Sequence, residues 1–123
     1  MTEYFTIELE PEVRQWLESL TRPEYDRVEF YGDLLTEFGG DLGEPYSKHL
    51  GGKVRELRFY LPQRRVRITY WLAPDRRIVL LTVFAKTRPQ ERAEIQRARR
   101  AQLECESWHA SAHDVYDRNM EEK

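Results

Sequence analysis

The sequence predicts a single α+β domain in which a helical hairpin and a C-terminal helix pack on a small antiparallel sheet. Three observations lead there. The chain has 123 residues, 40% of them hydrophobic, which supports one real core and is too short for two. Two segments of helical period come before three segments of strand-like alternation joined by very short turns. A further helical run closes the chain, and the order strand, two helices, three strands, helix is that of an α+β layout.

Residues 3–9 alternate loosely around Tyr4, Phe5, Ile7 and Leu9 and read as a first strand. Pro11 suits the opening of a helix, and Val13, Trp16, Leu17 and Leu20 fall on one helical face. Thr21 and Glu24 have the spacing of a capping box for a second helix. Val28, Tyr31, Leu35 and Phe38 are its expected buried stripe, and Gly39-Gly40 its stop. Residues 41–53, with Pro45 and Gly51-Gly52, read as a loop or short helical turn. Strands are expected at 54–61, 65–72 and 76–84, antiparallel and in sequential order because the turns between them are so short. Val79, Leu80 and Leu81 make the third strand apolar on both faces, which suits a place inside the sheet. Thr87-Arg88-Pro89-Gln90 repeats the capping pattern, predicting a helix from about Arg88 to Glu106 with a thin stripe of Ile95, Ala98, Ala101 and Cys105. The domain is expected to span 1–107, with 108–123 as a polar tail.

Composition narrows the class. No apolar run reaches the ~18 residues of a membrane span, and Met1 to Phe5 lack the basic start and apolar stretch of a secretion signal. A single cysteine, Cys105, allows no internal disulfide, so a cytoplasmic protein is expected. The net charge of −2 conceals a division: residues 1–45 carry −9, residues 46–100 carry +11 and residues 101–123 carry −4. A cationic middle between anionic flanks suits a polyanion such as RNA; the alternative reading is charge that serves solubility alone. Cys105, His109 and His113 recur every fourth residue. On a helix the outer two would stand about 12 Å apart, too far to share one ion, and Asp114 does not help, so no metal and no cofactor are expected. No phosphate-binding loop, zinc signature or serine-triad elbow is present.

Strand alternation sorts the candidate site residues. Leu57, Phe59 and Leu61 share one face of 54–61, while Glu56, Arg58 and Tyr60 share the other. Val66, Ile68, Tyr70 and Leu72 oppose Arg65, Arg67, Thr69 and Trp71 on the next strand. Arg58 and Arg67 are therefore expected in one groove, with Tyr60 and Trp71 nearby and Lys86 within reach. Cations with interleaved rings suit a single-stranded nucleic acid, or Arg58 and Glu56 pair as ordinary surface charges. His49 is the nearest conventional acid–base candidate, or a loop histidine packed beside Leu50. Lys48 and Lys53 are phosphate contacts or plain exposed lysines, and Arg88 joins the candidate RNA contacts.

These residues sit in motifs that resemble the HigB-like branch of the RelE/ParE toxin superfamily. The matching stretches are SKHLGGKVRELR (Ser47 to Arg58), VRITYW (Val66 to Trp71), IVLLTVFAKT (Ile78 to Thr87) and P-x-E-x-x-x-I-x-R-A (Pro89 to Ala98). The DLGEPYSKHL passage at the exit of the helical hairpin fits as well, and the likeness spans roughly residues 3–105. The resemblance implies a toxin that enters the ribosomal A site and cuts mRNA without a metal, with Arg58, Arg67 and Lys86 as active-site cations. It also implies a helix-turn-helix antitoxin. Two other functions fit the same fold: a non-enzymatic gyrase poison of the ParE kind, and an RNA-binding module that has lost its chemistry.

Overall fold

The structure, a computed structural model, describes residues 4–111. In chain order these form β1 (Thr6–Leu9), α1 (Pro11–Glu18), α2 (Arg22–Phe38), β2 (Ser47–Gly51), β3 (Val54–Leu61), β4 (Arg64–Ala73), β5 (Arg77–Ala85) and α3 (Arg92–Ser111). The five strands make one sheet in the order β1-β5-β4-β3-β2. Pairings β2–β3, β3–β4 and β4–β5 are antiparallel, as the short connections require. Gln63 turns the β3–β4 hairpin and Asp75 and Arg76 the β4–β5 hairpin, all at positive φ.

The sheet differs from the expected one at both edges. It is mixed, because β1 lies parallel to β5, with Thr6 opposite Arg77 and Leu9 opposite Leu80. Hydrophobic alternation marks β1 as a strand without saying which neighbour it takes. Residues 47–51, expected in a loop, pair with β3 as β2, with a bulge between His49 and Gly51. β5 is interior, between β1 and β4, as its doubly apolar pattern demands.

Helices cover both faces. Beneath α1 and α2 lies the larger core: Val13, Val28 and Leu35 against Leu57, Phe59, Ile68, Tyr70 and Ile78. The Tyr31 ring stacks on Phe59 with centroids 4.9 Å apart. Phe38, expected in the buried stripe, is exposed instead, and the apolar face of α2 is completed by Leu34. The Thr21–Glu24 capping box forms as predicted. On the opposite face α3 encloses a smaller core of Trp71, Ala73, Val79, Leu81, Ala101 and Cys105. Trp71 Nε1 donates to Cys105 Sγ at 3.4 Å.

A bulge in β5 sets which residues reach which face. Thr69 pairs with Thr82 but Tyr70 pairs with Leu80, so Leu81 has no partner on β4. Beyond the bulge the alternation is reversed. Val83 packs against the larger core, and Phe84 stands opposite Arg67 on the α3 side. Thr82 N–H donates to Thr69 Oγ1 at 3.2 Å and so holds the bulge.

Two outcomes follow from this packing. Gly39 ends α2 at φ +52°, and an added Cβ would meet the Phe5 ring at 2.1 Å. Gly39→Ala is expected to lower the unfolding free energy in urea by about 1–3 kcal/mol. An unchanged midpoint would contradict that close approach. Burial pushes the Cys105 thiol up to about 11. It should therefore resist a thiol reagent at pH 8 in the native state and react on unfolding.

Candidate functional site

Where α3 stops short of the other end of the sheet, its face opens into a cleft of about 360 Å³. Its floor is the opposed pair Arg58 and Arg67, whose Cα atoms are register partners across β3 and β4. Lys48 of β2 enters beside Glu56, and Phe84 of β5 beside Arg67. Lys86 and Arg92 border the mouth. Five cationic side chains thus line the cleft (Lys48, Arg58, Arg67, Lys86, Arg92) against two carboxylates, Glu56 and Glu91. The sequence-predicted cations Arg58, Arg67 and Lys86 are brought together.

Glu56 and the arginines form one ionic unit. Its Oε2 lies 3.5 Å from Arg58 Nε and 3.7 Å from Arg67 Nε. Arg67 is only 4% exposed, so it is not the surface side chain that alternation alone suggests. Burial lowers its pKa and the Glu56 carboxylate opposes that. The guanidinium stays charged all the same, because arginine is not deprotonated in proteins. Arg67 Nη1 donates to the Val66 carbonyl at 3.1 Å, while its buried Nε finds no hydrogen-bond acceptor among the described residues.

The turn after β5 fixes Lys86. Its amide continues the ladder by donating to the Arg65 carbonyl at 2.8 Å. Nζ donates to the carbonyls of Arg88 and Pro89 at 2.8 and 3.2 Å. Glu91 Oε1 accepts from the amides of Thr87 and Arg88, both at 3.0 Å. These bonds explain why α3 begins at Arg92 and not near Arg88: the Thr87 amide is held by a carboxylate four residues on, within a turn that only imitates a capping sequence. α3 then runs to Ser111, past the end at Glu106 that its thin stripe suggested.

Other expected contacts are corrected. Trp71 is on the expected face but lies under α3, 2% exposed, and no base can stack on it. His49 pairs with Arg55 and therefore points to the face opposite the cleft, and its Nε2 bonds the Gly52 carbonyl at 2.8 Å. Lys53 is spent on Glu106 of α3. Arg88 is an exposed turn residue outside the cleft wall. Tyr60 remains available, 61% exposed on the Arg58 face. Sequence reasoning missed Arg92, Phe84 and the clamping role of Glu91; the P-x-E spacing after Lys86 was the available signal for the last. Among the described residues no group of three potential ligands could hold a metal ion. The His109 side chain, His113 and Asp114 lie outside what is described. No helix of the described residues is long and apolar enough to cross a membrane.

The model of the family described as "Phage derived protein Gp49-like" matches residues 15–102, well over half of the chain. Two solved structures share the fold. An E. coli RelE toxin mutant in the free state is 13% identical, with a TM-score of 0.52 over 76% of this chain and 90% of that one. The RelE of an archaeal RelE–RelB complex from Pyrococcus horikoshii is 21% identical, with a TM-score of 0.50 over 72% of this chain and 99% of that one. A search of curated proteins finds no significant match.

Two measurements test the site. Arg67→Ala removes a buried guanidinium and leaves Glu56 less compensated. It is expected to cost about 1–3 kcal/mol in urea unfolding, more than Lys86→Ala at the open turn. Equal, negligible losses would place Arg67 at the surface. The amides of Thr87 and Arg88 hold the Glu91 carboxylate below its usual 4.5. With a depressed folded pKa, its stabilising effect is complete above 4.5 and is lost as pH falls through the folded value. The ¹⁵N amide signals of Thr87 and Arg88 should shift together in that acid range, and Glu91→Gln should abolish the step.

Proposed function

The chain belongs to the phage derived Gp49-like family and has the RelE fold, and from that premise we propose that it is the toxin of a toxin–antitoxin pair, an endoribonuclease that cuts mRNA on the ribosome. The observation that carries the reading is the convergence of Arg58, Arg67 and Lys86 from three separate stretches of chain into one cleft. Cleavage by a ribose 2′-hydroxyl passes through a phosphorane with excess negative charge. Preorganised cations aimed at that charge lower the barrier. The burial of Arg67 supports the assignment, because its ion pair with Glu56 fixes the guanidinium before any substrate arrives. The turn bonds of Lys86 do the same for its ammonium. A poison acting through protein contact alone has no need of such a site. Lys48 and Arg92 supply further phosphate contacts, and Tyr60 a ring for stacking.

The antitoxin reading rests on charge and on the fold relative, whose structure is of a RelE–RelB complex. A cationic cleft attracts an acidic segment of a partner, here a helix-turn-helix antitoxin. Co-expression with that partner should relieve growth arrest.

The test is to induce the chain briefly and map mRNA 5′ ends from purified ribosomes. Codon-phased cuts are expected. Arg58→Ala and Lys86→Ala should each slow cleavage about a hundredfold or more, as the loss of roughly 3 kcal/mol of transition-state stabilisation implies, while remaining folded. Altered DNA supercoiling with intact mRNA would instead favour a gyrase poison, and wild-type cleavage by Lys86→Ala would remove that residue from the site.

A further inference from the structure

Among the described residues, β3 is left without a strand neighbour where β2 stops. Ser47, the first residue of β2, pairs with Leu57, and the last backbone bond on that side runs from the Arg58 amide to the Tyr46 carbonyl at 2.8 Å. Past that point Arg27 of α2 takes the place of a strand, its Nε donating to the Tyr60 carbonyl at 2.8 Å. A second cavity of about 570 Å³ opens here, between the start of α2 and the β3–β4 turn. Pro23, Leu61 and Pro62 give it apolar walls, with Tyr60 and Arg27 on its border.

Tyr60 lines this cavity and not the cationic cleft, but strand alternation puts it on the Arg58 face of the sheet, two residues along β3 from the cleft floor. The polar groups of the second cavity are unequally available. Thr21 and Glu24 are spent on their capping box, and Glu24 also takes Arg64 at 3.2 Å. Arg27 uses only Nε among the described residues, which leaves both terminal nitrogens as donors. The occupant that fits has a flat face for a tyrosine ring, an edge of acceptors for a guanidinium, and a phosphate on the far side of Tyr60.

We propose that this second cavity receives an unpaired nucleobase next to the phosphate held in the cationic cleft, stacked on Tyr60 and bonded along its edge by Arg27. The proposal rests on the RNA reading of the cleft and adds a base subsite to it. Alternating cations and rings are how single strands are held, and here the alternation runs from Arg58 to Tyr60 to Arg27 across the uncovered end of β3.

The test uses the full chain, ¹⁵N-labelled, titrated separately with inorganic phosphate and with 2′-O-methyl ApA, which lacks the attacking hydroxyl and is not cleaved. Phosphate should shift the signals of the cleft alone, Arg67 and Lys86 among them. The dinucleotide should shift these and also Thr21, Arg27 and Leu61. Arg27→Ala, an exposed substitution, should weaken dinucleotide binding about tenfold and leave phosphate binding unchanged; Tyr60→Ala should weaken dinucleotide binding likewise. If the dinucleotide moves the cleft signals alone, or if both variants bind it as the wild type does, the base subsite is wrong while the cleft stands. If neither ligand moves the cleft signals, the RNA reading fails and the subsite with it.

Discussion

The structure is organised around two arginines that face each other. Arg58 and Arg67 are direct partners across β3 and β4, and like charges in that position repel. Glu56 settles the conflict by reaching both guanidiniums from the neighbouring pleat of β3. A triad of this kind, with Glu56 and Arg67 buried and Arg58 partly exposed, is weak as a source of stability, because desolvating the ions consumes much of what the attraction returns. Its effect is on position. With Glu56 in place, two cations are locked side by side on the floor of a cleft that exists before any ligand binds.

Two features keep that floor accessible. The first is the bulge at Leu81. It gives Leu81 to the core under α3 and reverses the alternation beyond, so that Phe84 meets Arg67 and Lys86 arrives on the same side. An unbulged strand would have turned Lys86 toward the α1 side. The second is the attachment of α3. Glu12 of α1 accepts from the Val83 amide at 2.9 Å and from Arg97 Nη1 of α3 at 2.5 Å. One carboxylate thus blocks the free edge of β5 and ties the helices of the two faces together. Anchored there and by Lys53–Glu106, α3 covers the Trp71 half of the sheet and leaves the arginine half open.

Much of this was legible in the sequence, and the exceptions have physical causes. The three-strand meander and the common face of Arg58 and Arg67 follow from turn length and period alone. β2 was hidden because SKHLGG is short, polar and rich in glycine, which reads as loop until the β3 edge supplies its partner. The pairing of β1 is a tertiary choice that alternation does not encode. Trp71 was placed on the right face and given the wrong role, since period reports which side a ring takes and not what lies over it. His49 was misplaced for want of β2: once paired with Arg55, it points away from the cleft. Glu56 was weighed only as a rival partner for Arg58, and its hold on Arg67 needed the register across β3 and β4.

The claim that Glu56 holds the two arginines in place is tested most directly by a double-mutant cycle in urea unfolding, with Glu56→Gln, Arg67→Ala and the pair. The account predicts strong coupling, about 1–3 kcal/mol, with Arg67→Ala costing markedly less once the carboxylate is gone. Losses that add to within about 0.5 kcal/mol would show that Glu56 and Arg67 act independently and would contradict it.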